Sequence, residues 1–151
     1  MEIKQNANGD YLLKDSEGKS HIVRKDLAQQ WLDTFELKNL NQSYKPNLKD
    51  DIKNAICKDI EINTKDLLKL INKGRYKYIK NIKSTFENPQ IVFIDEKDDL
   101  IFAKKLSDRL FFVSVSRDYG KNYLNITLSP KKQTILKNKV SKAKRVIYKS
   151  L

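Results

Sequence analysis

Apolar positions change rhythm twice along the chain, giving a strand-like opening, a run of helices and then a longer run of strands. Ile3 precedes the turn signal Asn8-Gly9-Asp10, Tyr11-Leu12-Leu13 follow, and Glu17-Gly18 marks another turn before His21-Ile22-Val23. This predicts a short hairpin. Between Arg24 and Leu37, Leu27, Trp31, Leu32 and Phe35 keep helical spacing, with Asp26 near the amino end and Trp31 in the core. After the polar connection Asn39 to Pro46, Leu48, Ile52, Ala55 and Ile56 repeat that spacing. A third helix has Asn63 or Thr64 as its cap, Asp66 in its first turn, Leu67, Leu68, Leu70 and Ile71 as its stripe, and Gly74 at its end. Tyr76, Ile79, Ile82 and Phe86 mark a fourth, with Tyr76 on the core side. Asn88-Pro89 stops it, because a residue before proline avoids helical geometry.

Ile91 to Ile94 is a short apolar run closed by the acidic turn Asp95 to Asp99. Leu100 to Leu106 follows, then Leu110 to Ser116, a turn with Asp118 and Gly120, and Tyr123 to Leu128. Strands joined by short turns must run antiparallel, since parallel neighbours need long crossovers. Pro130 is placed to open a last helix over Ile135 and Leu136, and Arg145 to Tyr148 to add an edge strand. The expected class is α+β, with N-terminal helices packed on a four-stranded antiparallel meander. Residues 1–60 would supply the hairpin and helical cap and residues 61–151 the core, as one compact domain. One sheet face takes the helices and the other is free to meet a ligand.

Charge sharpens this picture. Residues 1–60 carry ten Lys and Arg against ten Asp and Glu, so the whole +12 comes from residues 61–151. A regional excess of that kind attracts polyanions, although Lys-rich codon usage would also produce it. Cys57 is the only cysteine and His21 the only histidine, which excludes a disulfide within the chain and any metal site built from cysteines or histidines. No apolar run follows the opening charges or reaches about 18 residues, so a cytosolic chain without a membrane partner is expected, one that could also be delivered into a target cytosol.

Gly-rich phosphate loops and GxSxG elbows are missing, and Asp95, Glu96, Asp98 and Asp99 read as a solvated turn, not a calcium loop. The run NIKSTFENPQIVFIDEKDDLIFAKKL, then RLFFVSVSRDYGKNYLNITLSP and KAKRVIYK, resembles phage-associated nuclease domains of the barnase, EndoU, colicin and RelE fold group. The counterparts are Asn88-Pro89, the strand Ile91 to Ile94, Phe102-Ala103-Lys104, the strand end Thr127-Leu128-Ser129, and the helix start INTKDLLKLI. The resemblance implies a barnase/RelE-like fold, a nuclease needing no cofactor or metal, and RNA as partner. A toxin of this kind also leaves room for a cognate antitoxin or immunity protein. Where relatives place a histidine between two helices, this chain reads Asn72-Lys73-Gly74-Arg75-Tyr76.

Metal-free RNA cleavage needs a base for the 2′-hydroxyl proton, cations for the charge gathering on phosphate and an acid for the leaving oxygen. Lys104 is the first candidate for phosphate contact, on the face of Phe102, with Lys105 pointing oppositely as an RNA-binding residue. Arg75 could clamp phosphate from the helix corner beside Lys73, or lie solvated. Tyr78 could stack a base. Thr127 and Ser129 sit at the strand end whose hydroxyls the resemblance assigns to phosphate or base contact, and Arg109 and Arg117 extend the RNA-binding set. His21 is of the one residue type that ordinarily titrates near neutrality, which makes it a candidate base. Each has an ordinary alternative as a solvated or core side chain. The leading expectation is a metal-independent endoribonuclease of prophage or mobile-element type, with a non-catalytic module binding RNA or an acidic partner as the alternative.

Overall fold

The computed structural model describes residues 2–56, 60–107, 110–116 and 126–150. They form two compact units, each assembled from two stretches of chain: Met1–Tyr44 with Ile62–Lys80, and Lys45–Glu61 with Asn81–Leu151. Where the sequence suggests a boundary near residue 60, the chain thus passes from the first unit to the second and back before entering the second for good.

The first unit opens with β1 (Glu2–Gln5), β2 (Tyr11–Lys14) and β3 (Ser20–Val23), a three-stranded antiparallel meander in place of a lone hairpin. Its two turns are built alike. Asn6 Oδ1 accepts the amides of Asn8 and Asp10, both at 3.0 Å, and Asp15 Oδ1 accepts those of Glu17 at 3.0 Å and Lys19 at 2.9 Å. The fourth residue of each turn, Gly9 or Gly18, takes a positive φ that glycine reaches without steric cost. Asp10 then serves α1 (Lys25–Phe35): Arg24 offers no side-chain cap, and the Asp10 carboxylate accepts from the Lys25 amide at 2.9 Å instead. Leu27, Trp31, Leu32 and Phe35 are buried as their spacing predicts, and Ala28 is buried with them. Phe35 meets Trp31 edge-on at 4.8 Å and stacks on Tyr44 at 4.6 Å.

Tyr44 and Ile62 exchange two backbone hydrogen bonds of 2.8 Å, joining the unit's two stretches. Beyond them α3 (Thr64–Asn72) starts with a capping box between Asn63 and Asp66. Gly74, with φ 65°, ends it as expected. The predicted fourth helix is divided, into a 3-10 turn over Tyr76–Tyr78 and α4 (Ile79–Glu87). Tyr76 is therefore out of phase with the buried stripe of α4. It is 40% exposed, with the Arg24 guanidinium 5.9 Å from its ring, and is not a core residue.

The second unit holds α2 (Asp50–Ile56), α4 from Asn81 onward, a five-stranded antiparallel sheet and α5 (Gln133–Ser141). The strands are β4 (Ile91–Ile94), β5 (Leu100–Ser107), β6 (Leu110–Ser116), β7 (Ile126–Lys132) and β8 (Arg145–Lys149), in the spatial order β7-β6-β5-β4-β8. Pro130 lies inside β7 and does not open the helix, which begins at Gln133. A proline is tolerated there because β7 is an edge strand with one side free of ladder bonds. The turn expected at Asp118 and Gly120 and the strand residues Tyr123 to Asn125 lie outside the described residues.

Neither face of the sheet centre is free. All four residues of β4 are buried, which for a strand requires cover on both sides. On one side Phe86 of α4 meets Phe102 at 5.0 Å. On the other, Leu136 of α5 joins Ile91, Phe93, Ile101 and Ala103, with Val140 and Ala143 packed against them. The expected open face is corrected accordingly: the helix that follows the strands closes the side that the preceding helix leaves.

Candidate nucleic-acid interface

Antiparallel register decides which side chains share a face. Lys149, Ile91, Ala103, Val113 and Ser129 form one row across the five strands. Ile91 and Ala103 belong to the cluster beneath α5, so this is the α5 side. Two residues further along β5, the next row on that side is Lys105, Phe111 and Lys131. Lys104 falls in the intervening row with Phe112 and Pro130, on the side of Phe102 and α4.

Burial along β5 shows where the helical cover ends. Leu100 to Ala103 are buried, whereas Lys104 to Ser107 alternate between half-buried and exposed. Lys105 is exposed, and its amide donates to Gln90 Oε1 at 2.7 Å. Lys131 is half-buried two strands away, about 10 Å at the backbone given the usual strand spacing. Ser129, 5% exposed, lies in the adjoining row, and exposed Lys149 closes that row at the β8 edge. Thr127 pairs with Val115, which in turn pairs with Ile101. Cations thus gather beside a buried hydroxyl on the α5 side, at the end of the sheet that α5 leaves uncovered.

Lys104 does something else. Its ammonium donates to the Asn88 carbonyl at 2.8 Å, just beyond the carboxyl end of α4. A cation there complements the negative end of the helix dipole and satisfies a terminal carbonyl. Register puts it on the opposite face from Ser129, so the sheet does not bring the two to one phosphate.

Lys73, Arg75 and Tyr78 meet at the corner between α3 and α4 in the first unit. Lys73 is the carboxyl cap of α3, the Arg75 amide donates to Leu70 O at 2.8 Å, and the Tyr78 amide donates to Arg75 O at 3.1 Å. Lys77 Nζ lies 5.2 Å from the Tyr78 ring centroid. His21 is in the same unit but on β3, where it forms a 2.9 Å hydrogen bond through Nε2 with Asp15 Oδ2. The imidazole, joined by the amides of Lys19 and Glu17, holds the Asp15 carboxyl below the usual carboxylate range. This bond latches the second hairpin turn and orients the ring. Arg109 and Arg117 lie outside the described residues.

Lys131 and Lys149 escaped the sequence reading, yet a signal was present: residues 126–150 hold eight Lys and Arg and no Asp or Glu. Among the described residues no group of three or more His, Cys, Asp or Glu is placed to hold a metal ion, and no helix is long and apolar enough to cross a membrane. Asp95 to Asp99 repeats the turn of the first unit, with Asp95 Oδ1 accepting the Lys97 and Asp99 amides, both at 2.9 Å.

Residues 5–149 match the family described as phage-Barnase-EndoU-ColicinE5/D-RelE like nuclease2. The chain belongs to this nuclease family. The match takes in nearly the whole chain, so both units are part of the family domain. No curated protein and no solved structure matches significantly. Membership in this family makes nuclease activity the frame for the chain's function.

Proposed function

We propose that the chain is an endoribonuclease of prophage or mobile-element type, cutting RNA in a target cytosol by attack of the 2′-hydroxyl on its own phosphodiester, without a metal ion. The observation that carries this reading is the row Lys105–Phe111–Lys131 beside Ser129. Two lysines whose backbones lie about 10 Å apart carry side chains long enough to reach phosphates of one extended strand, and their ammonium groups stabilise the negative charge that builds on the phosphate under attack. Ser129 orients a phosphate oxygen. The substrate provides the nucleophile, so the protein's tasks are to neutralise charge and move protons.

The test is to incubate the purified protein with total RNA and a chelator and to analyse the fragment ends. Fragments ending in 2′,3′-cyclic phosphate support the proposal, and intact RNA at all protein concentrations refutes it. A second reading, an RNA-binding module without chemistry, is favoured by one observation: Asn72 to Tyr76 holds no histidine. Both readings expect binding that weakens with salt, and only the first expects product.

A further inference from the structure

A groove of about 420 Å³ runs between α5 and the paired edge of β4 and β8, on the same side of the sheet as Ser129. Its floor is aliphatic, made by Ile91, Leu136 and Val140. Lys137 and Lys149, both exposed, stand on its rim, and among the described residues neither makes an ion pair. Two neutral polar side chains complete it. Gln133 carries both a donor and an acceptor, whereas the Ser141 hydroxyl donates to Asn138 O at 2.7 Å and so offers the groove its lone pairs.

We propose that this groove is a subsite for an unpaired ribonucleotide of the substrate strand, a proposal that rests on the endoribonuclease reading. The volume is that of a small-ligand site, where a protein partner would need a broad contact of about 800 Å². A nucleotide combines a flat, weakly polar base with an anionic phosphate, which matches an apolar floor beneath a cationic rim. Gln133 and Ser141 supply neutral groups that hydrogen-bond base edges, and those edges are exposed only where the base is unpaired. Charge complementarity is strong, since the described residues 126–150, which include α5 and β8, carry no carboxylate side chain. The groove shares a sheet row with Ser129 through Ile91 and Lys149, so a bound nucleotide would hold the strand in line with the proposed cleavage row. The consequence is a substrate class: single-stranded RNA is taken and duplex RNA refused.

The experiment measures binding of a fluorescent 2′-O-methyl octanucleotide, which cannot be cleaved, against the same strand in a duplex. The wild-type protein should bind the single strand at least tenfold more tightly. Lys137→Gln with Lys149→Gln should lower the slope of log affinity against log salt by about 1.4, the loss expected for two single-strand phosphate contacts. Ser141→Phe, at an exposed position, should plug the groove and abolish the single-strand preference without lowering the thermal midpoint. An unchanged slope together with unchanged preference in these variants would overturn the subsite, even if the wild-type protein cleaves RNA. Binding that the variants lose, in a protein that yields no RNA fragments, would support the subsite and remove the catalytic reading. Binding of poly-glutamate that the variants lose, with no oligonucleotide bound, would overturn the proposal in favour of an acidic protein partner.

Discussion

Lys104 Nζ and the Asn88 carbonyl are 2.8 Å apart, so the lysine that most resembles a phosphate ligand in the sequence is tied to the end of α4. The exposed Lys105 and half-buried Lys131 project on the other face, next to Ser129. Replacing Lys104 by Met removes a charge-assisted bond at a helix terminus and should cost about 1 kcal/mol, or about 3 °C in thermal midpoint for a chain of this size. Cleavage should fall only severalfold. Lys105→Met with Lys131→Met should lower kcat/KM at least a hundredfold, which is about 2.7 kcal/mol of transition-state stabilisation. The reverse pattern, measured by melting and initial rates, would return Lys104 to the phosphate.

Three hairpin turns share one construction, and the third breaks its rule. Gly9 and Gly18 occupy the positive-φ position in the first two, but Asp98 occupies it between β4 and β5 with φ 66°. Asp98 also bonds Lys144 at 2.8 Å, an exposed pair of the kind that contributes about 0–1 kcal/mol. The left-handed conformation costs a non-glycine residue about 1 kcal/mol, somewhat less for Asp. Asp98→Gly should therefore be neutral to stabilising by up to about 1 kcal/mol, whereas Asp98→Ala loses the pair, keeps the backbone cost and should destabilise by about 1 kcal/mol. Denaturant titration of both variants checks the order, and a Gly variant less stable than the Ala variant would mean that the positive φ carries no cost at this position, since both variants lose the ion pair.

These turns also show what the sequence could and could not disclose. Asn8-Gly9 and Glu17-Gly18 announce themselves, and so do the stripes of α1 and α3, because turn chemistry and period are local. The continuous run Ile91 to Ile94 signals a strand, and its lack of polar alternation already hints at cover on both faces, but only α5 folding back reveals what covers the second. Pro130 misleads because its edge position is a property of strand order, not of its neighbours. The same limit applies to the candidate site. Alternation separates Lys104 from Lys105 in advance, yet nothing local reveals that Lys131 and Lys149 share a face with Lys105, since that follows from the register of four strand pairs.

The bond between His21 and Asp15 gives the second hairpin turn a pH signature. The Asp15 carboxyl is held below its ordinary pKa of about 3.9, first by His21 and then by the Lys19 and Glu17 amides. A depressed folded-state pKa contributes stability that is fully present above the unfolded value and is lost as pH falls through the folded value. The acid limb of the stability curve should therefore steepen below about pH 4. His21→Asn removes the largest cause, so its stability deficit should be full near pH 5 and shrink toward pH 2. Thermal midpoints across that range decide it, and a deficit that stays constant would mean that His21 acts by packing alone.

Asp66 carries the opposite sign. It completes the capping box of α3 by accepting from the Asn63 amide at 2.9 Å, but burial of its carboxyl raises the pKa despite that bond and despite Lys69 and Lys65 nearby. A carboxyl with a raised folded pKa favours folding most when protonated, and that contribution is lost as pH climbs from the unfolded value of about 3.9 through the folded one. Asn at this position keeps an acceptor for the Asn63 amide and places no charge in the buried cap. Asp66→Asn should thus gain on the wild-type protein as pH rises from 3 to 7, while Asp66→Ala, which leaves the amide uncapped, should be less stable by about 1 kcal/mol at every pH. If the Asn variant instead falls behind as pH rises, attraction of the ionised carboxylate to the helix amino end outweighs the cost of burying it.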